Sequence, residues 1–471
     1  MILKLLAGSV GLGNLESFLL TPTLGLTLKL VSGFLCLAGT RKQSFFRYNS
    51  PLVLVSIIGL ACFCCPGMYW ALVGMGGGGH VDPMAMNNAN TALYATFAIF
   101  GILGGGIYNV LGPRLTLASG CSTYALYAGS FLYYNHYHHH TFAIIAGAIL
   151  GIGVGFLWAS QGAIMTSYPL HNQKGTYISL YWSIFRNLMG GVVGGFIPCI
   201  LNYNRTEAVS VTDATYIGFM CFMTVGALLS LAILPPSKVI RNDGTSCTNI
   251  KYSSVSTEAT EILKLFLNWK MLLIVPAAWV SNFFYSYQFT NVNGALFNLR
   301  TRGLNNVFYW VAQILGSIGI GYVLDFSLPS QKMRGYVGIA IVALLGTVIW
   351  GGGLASQLKY SRHDLPKKLD FRDSGSDYAV RVIFQLWIVG RNAPDLGLLY
   401  TGFYKGVQSA GAVVAWQIDT CKVPFLSELI VNWSLMTMSY PLLVVLVKLA
   451  VKEDEGGEEG AKKAVASSFA H

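Results

Sequence analysis

The sequence predicts an all-α, polytopic membrane protein whose twelve spanning helices divide into two six-helix bundles. Three observations carry this. Of 471 residues 54% are hydrophobic and 11% charged, where a soluble chain has about a quarter of its residues charged. The mean hydropathy is +0.54. Apolar runs long enough to cross ~30 Å of hydrocarbon at ~1.5 Å per residue recur along the chain. A polar turn after the second run returns in related form after the eighth. The formal net charge of +11 sits mostly in short loops, where Lys and Arg set orientation and meet anionic headgroups. Nucleic acid is therefore not an expected partner. Most of the nine cysteines, such as Cys62, Cys64, Cys65, Cys121 and Cys221, fall inside apolar runs. They read as packing residues rather than a disulfide framework.

The stretch from Asn88 to Gly120 fixes the frame. Asn90 to Ile107 and Leu115 to Asn135 carry no charge, and the turn between them holds only Arg114. A basic turn between spans reads as cytoplasmic. Residues 1–50 form a poorly defined N-terminal segment. Phe18 to Gly39 is apolar, but Leu24, Leu26, Leu28 and Leu30 alternate with smaller or polar residues. That period of two does not suit a lipid-facing helix. From Pro51 the spans are placed at 51–73, 89–109, 114–134, 141–167, 176–201, 215–234, 271–292, 305–327, 335–356, 379–390, 398–418 and 425–447.

Residues 51–234 then form an N-terminal bundle, 235–270 a basic cytoplasmic linker, 271–447 a C-terminal bundle and 448–471 a charged cytoplasmic tail. Asn204-Arg205-Thr206 is a glycosylation sequon in a loop this count places outside, whereas Asn432-Trp433-Ser434 lies within a span. The first turn reads Gly105-x-x-x-Asn109-x-x-Gly112-x-Arg114. Its counterpart is Gly321-x-x-x-Asp325, followed by Arg334. Such duplication marks transporter folds built from two parallel six-span halves.

These turns resemble the signature of the major facilitator superfamily. Pro66-Gly67-Met68, Gly76 to Gly79, Asn87 to Tyr94, Gly112-Pro113-Arg114 and Gly402 to Gly411 resemble the fungal branch of the Unc-93-like family, over about 50–450. The resemblance implies a twelve-helix major-facilitator fold. It also implies one of three roles described for such proteins: ion-channel regulation, receptor trafficking or transport. Three features depart from the pattern. Asn109 replaces the acidic residue of the turn, Arg186 stands mid-span, and Ala379 to Gly390 gives only roughly 18 Å of helix.

In the superfamily the first, fourth, seventh and tenth helices line the central path. This makes Trp158 and Gln161 on the fourth span, and Asn282, Tyr285 and Gln288 on the seventh, candidates for the path. Lys405 and Gln408 on one face of the eleventh join them as a further polar face. Arg186 lies ~15 Å into its span, where a charge costs at least ~2.5 kcal/mol unless it faces the interior or water. Gly147, Gly151 and Gly155 share a helix face and are expected to pack a neighbour closely. Gly74 to Gly79 fits a Gly-x-Gly-x-x-Gly pattern, but no strand precedes it. It is expected to be a flexible outer loop. His136 to His140 has no carboxylate or thiol beside it in the sequence and is expected to be a solvated turn rather than a metal site.

No nucleophile–base pair, phosphate loop, cofactor motif or metal-ligand spacing marks the chain, so it is not expected to be an enzyme. The leading expectation is movement of a small solute or ion by alternating access, in the plasma membrane or an endomembrane. The alternative is an accessory subunit of another membrane protein.

Overall fold

In a computed structural model the structure describes residues 47–80, 82–170, 177, 181, 190–204, 210–241, 243–247, 255–326, 330–372 and 401–450. For 258, 317, 318, 321, 322, 324–326, 401 and 402 only the backbone is described. The described residues from Tyr48 onward belong to one compact unit. They are helical, with two isolated bridges and no sheet among them.

Helix α1 runs from Pro51 to Gly74. Ser50 caps it by accepting from the Val53 N–H at 3.4 Å, and Pro51 needs no intrahelical partner at the first position. Its middle widens into a π turn, Phe63–Gly67, around Pro66, which cannot donate to the helix ladder. Helix α2 is Met84–Tyr137, two spans joined end to end. Gly112 breaks it with φ 74° and ψ 171°, outside the reach of an ordinary side chain, and Pro113 starts the next helix.

Helix α3, His140–Ser167, packs its glycine stripe on α2 as expected. Gly147 meets the Ala89 carbonyl, Gly151 the Leu93 carbonyl and Gly155 the Phe100 backbone. Helix α4 is Gly190–Leu201 and α5 is Asp213–Ser230.

The linker carries helix α6, Val255–Lys264. Its first residue sits against Gly106 of α2, and Ile262 and Leu265 pack on Met271, Ala278, Phe403 and Val407. The linker thus touches both halves. Helix α7, Trp269–Val280, follows a sharp bend and gives way, after a turn, to a π segment, Ser286–Gly294. Helices α8 (Leu299–Phe326), α9 (Gln331–Gln357), α10 (Thr401–Thr420) and α11 (Phe425–Ala450) complete the described chain.

Among the described residues six helices are long and apolar enough to cross a membrane, and the bent pair at α6 and α7 counts as a seventh when taken as one span. One of the six, α2, holds two expected spans. Every expected span except the tenth has described helix at its place. The tenth, at 379–390, lies outside the described residues, as do residues 1–46.

One expectation is corrected here, and the premise of another is amended. The Gly76–Gly79 loop is buried rather than lying free in an outer turn. All four glycines have positive φ, and Gly76 lies against the Phe289 carbonyl and Gly294. The histidine turn does have a carboxylate: His136 Nε2 is 3.0 Å from Asp213 Oδ2, and Asn135 donates to Asp213 Oδ1 at 2.7 Å. Asp213 is distant in sequence and is brought in by the first turn of α5.

Candidate functional site

Lys405 lies in the first two turns of α10, where i,i+3 spacing puts it on one face with Gln408. Its ammonium donates to Gln408 Oε1 at 3.0 Å and stands 5.4 Å from the Trp158 ring centroid and 5.7 Å from that of Tyr404. Gln408 in turn donates to Ser281 Oγ at 2.7 Å. The residue is 9% exposed. Burying an ammonium is costly unless hydrogen bonds and aromatic faces replace water, and Gln408 and Trp158 supply both. Three of the expected path residues, Trp158, Lys405 and Gln408, therefore meet, and they come from both halves of the chain. Gln161 is buried one turn farther along α3.

The expected face of the seventh span does not exist as a single face. Helical spacing would align Asn282, Tyr285 and Gln288, but α7 stops at Val280 and the π segment has a wider turn. Asn282 is half-buried in the turn between them, while Tyr285 and Gln288 are buried. Tyr285 lies 4.6 Å from the Trp70 ring and stacks on Phe289 at 5.4 Å. Phe289 packs on Tyr309 at 5.1 Å, and Trp70 lies 6.3 Å from Trp310. This aromatic layer, one turn outward of Ser281, joins α1 to the π segment and α8. The buried Trp310 Nε1 has no acceptor among the described residues. Sequence reading missed Trp70 and Trp310, because an aromatic residue in an apolar run carries no signal of its own.

At the outer end (the end away from the expected cytoplasmic turns) polar side chains bind the halves together. Asn87 donates to Asp419 Oδ2 at 2.7 Å, and Gln417 donates to Thr91 Oγ1 at 2.8 Å. Asn293 donates to the Gly74 carbonyl at 2.7 Å and Asn306 to the Ala71 carbonyl at 3.4 Å. The Arg362 guanidinium pairs with Asp419 and, at 2.5 Å, with Glu428 Oε1. Glu428 Oε2 accepts from Asn291 at 2.8 Å. Arg300 pairs with Asp370 and donates to the Tyr203 carbonyl at 3.3 Å. We call this set the outer latch. It was invisible as a group because its charges come from α8, α10, α11 and the loop after α9, and several of its amides from α2 and the π segment.

Three groups in the loops have displaced pKa values. Burial, and then the Arg302 charge, bring Lys368 down to about 8; its ammonium donates to the Gly294 and Ala295 carbonyls. Burial pushes the Asp370 carboxyl up, but the hydrogen bonds from Arg300, the Arg372 N–H and Asn298 outweigh it and hold it below its usual value. Burial, followed by the His138 charge, lowers His80 to about 4. His80 Nε2 lies 3.0 Å from Tyr216 Oη, which itself donates to the Gly78 carbonyl at 2.8 Å.

In the turn motif, Gly105 and Asn109 end the first part of α2 before Gly112, and exposed Arg114 reaches across to α5. Arg114 Nε donates to the Ile233 carbonyl at 2.7 Å, a cation at a helix C-terminal end rather than a partner of an acidic residue. Gly321 and Asp325 close α8 at the corresponding place in the second half, and Arg334 lies in the first turn of α9. Asn204 is exposed in the turn after α4, while Arg205 and Thr206 are outside the described residues. So is Arg186. Asn432 is buried in α11 and donates to the Glu428 carbonyl at 2.8 Å.

Comparison with known proteins places this geometry. A family model described as "Ion channel regulatory protein UNC-93" matches residues 78–350. UNC93-like protein 1 of Arabidopsis thaliana is 63% identical over 437 residues, covering 89% of this chain and 95% of that protein. An UNC93-like protein of Schizosaccharomyces pombe is 39% identical over 433 residues, covering 87% and 85%. The sequence likeness thus extends beyond fungal proteins to plant ones. The crystal structure of a nucleoside transporter superposes with a TM-score of 0.53 at 10% identity, covering 84% of this chain and 100% of that one. At that identity the likeness establishes the fold alone, which is that of the major-facilitator transporters.

Proposed function

The chain belongs to the UNC-93 family, and from that premise we propose that it moves a small solute or ion across its membrane by alternating access. One observation carries the reading: a buried ammonium, Lys405, held where Trp158 of one half meets Gln408 and Ser281 of the other. A solute that displaces Gln408 or Trp158 from Lys405 makes different contacts in the two states, which is what any ligand-driven change requires. The aromatic layer and the outer latch lie on the outward side of this group, so outward opening must part Asn87 from Asp419 and Thr91 from Gln417. Trp158, Gln161, Tyr285, Gln288, Lys405 and Gln408 are the proposed path, with Arg186 and Asn282 added from the sequence. Among these, Lys405 is the residue assigned to recognition. The repeated turns at Gly105–Arg114 and Gly321–Arg334 are the proposed inner gates.

A second reading is regulation of another membrane protein. The description of the matching family supports it, as does Asn109, which lacks the charge a gating turn uses. Purified full-length protein in liposomes, scored for uptake of a panel of ions and small metabolites, separates the two. Transport predicts that one solute is taken up and that Lys405→Met abolishes its uptake while leaving the protein folded. No uptake of any solute by wild type, with a partner protein still co-purifying in mild detergent, rejects transport.

A further inference from the structure

The outer latch contains an imbalance of charge. Asp419 and Glu428 have side chains 0% and 2% exposed, and one guanidinium nitrogen, Arg362 Nη2, serves both. Two carboxylates that share a donor are close neighbours, and with both ionised the buried group carries one negative charge in excess. Like charges at such range disfavour double ionisation, and burial adds to the penalty. The remaining partners are amides. Asn87 Nδ2 faces Asp419, Asn291 Nδ2 faces Glu428, and both residues are 1% exposed.

The amide oxygens point to a ligand. Asn87 Oδ1 and Asn291 Oδ1 are both buried and lack a donor among the described residues. Each is carried on the same planar group whose nitrogen already touches a carboxylate. Turned over, each amide presents an acceptor at the carboxyl position. An ionised carboxylate needs the amide nitrogen, whereas a protonated carboxyl can donate to the amide oxygen. Both states of the pair are thus provided for, with little room for a metal ion, since Arg362 stands between the carboxylates.

We propose that the Asp419–Glu428 pair is a proton-binding site, taking up one proton shared between the two carboxyls. The proton comes from hydronium at the outer end and bonds to a carboxylate oxygen, leaving water behind. No other bond changes, and the group goes from one excess negative charge to none. The facing ionisable groups are Arg362 from the loop after α9 and the phenols of Tyr287 and Tyr360, with exposed Lys422 after α10. Because Asn87 belongs to the N-terminal half, uptake changes the contact that holds the latch shut. That coupling rests on the alternating-access reading; the proton site does not.

The test is infrared spectroscopy of the full-length protein in lipid nanodiscs between pH 9 and 5.5, where exposed carboxyls stay ionised. Wild type should gain a protonated-carboxyl C=O band that shifts in deuterium oxide. Asp419→Asn and Glu428→Gln should each remove the band or move its midpoint by more than about one pH unit, a tenfold change in proton affinity. Glu428→Asp, which keeps a carboxyl and shortens it, should move the midpoint while retaining the band. Absence of any such band in wild type overturns the proposal whatever the variants do, and so does a band that none of the three variants changes. No solute is present, so this failure leaves the transport reading standing. A titrating pair in a protein that moves no solute retains the proton site and removes transport.

Discussion

Asn87→Leu is the sharpest perturbation of the latch. It removes the 2.7 Å bond from α2 to Asp419 Oδ2 and keeps the size of the side chain. A hydrogen bond to a charged group contributes about 1.5–3 kcal/mol, and leaving Asp419 short of a donor lies in the same range. Taking about 2 kcal/mol as lost only in the outer-closed state, the open-to-closed ratio rises about 30-fold. If the outer-open state is about 1% of wild type, it becomes about a quarter of the variant. The Thr91–Gln417 bond and the Asn293–Gly74 bond remain, so the closed state persists as the majority. The assay places spin labels at Tyr137→Cys and Leu358→Cys, two exposed positions at the outer ends of α2 and α9. Cys221 and Cys421, the exposed cysteines among the described residues, are changed to Ser. A longer-distance population of about one fifth to one quarter is expected from the same arithmetic. A distance distribution superimposable on that of the wild-type pair would falsify the assignment of Asn87 and Asp419 to a gate.

His80 gives a pH dependence. Its folded pKa of about 4 lies below the unfolded value of 6.5, so the unfolded state binds more protons between them. Stability is therefore intact above pH 6.5 and falls as pH drops towards 4, by about 3 kcal/mol over the full window. His80→Gln should flatten the melting temperature against pH, and an unchanged slope counts against the burial argument. Gly76→Ala should cost about 2 kcal/mol or more, because its φ of 75° and the nearby Phe289 carbonyl both oppose a side chain. Gly351→Ala in α9, with nothing within 4 Å, should be neutral or slightly stabilising in the same melting experiment. Asn204→Gln should abolish a glycan-sized mass shift seen in wild type after expression in a glycosylating host. A wild type without that shift, or an unchanged shift in the variant, contradicts the outer placement of its loop.

The membrane class, the helical content and the family were legible in the sequence, because a span is a local property. A run of apolar residues either is or is not long enough to cross hydrocarbon, and Gly112-Pro113 breaks a helix wherever it occurs. The pairing of Lys405 with Gln408 was legible for the same reason, since i,i+3 spacing needs only the helix. The glycine stripe of α3 was too, although its partner on α2 was not named by it. The reading failed where local spacing was assumed and tertiary packing changed it. Asn282, Tyr285 and Gln288 share a face only on a regular α-helix, and the chain there unwinds into a π segment. The Gly76–Gly79 loop looked flexible by composition and is instead buried, with Gly76 against Phe289 and Gly294 and Gly79 against Val211.

By itself the sequence determined that this chain lives in a membrane, that it is helical, and which face of α10 carries an ammonium. Only the tertiary structure decided that Trp158 lies over that ammonium, that Trp70 and Trp310 close an aromatic layer, and that Asp419 and Glu428 share Arg362. The physical reason is range. Hydrophobicity and helix periodicity act between residues a few positions apart and can be read along a line. A buried charge is stabilised by whichever partners packing brings to it, and Asn87 and Asp419 are 332 residues apart in the chain.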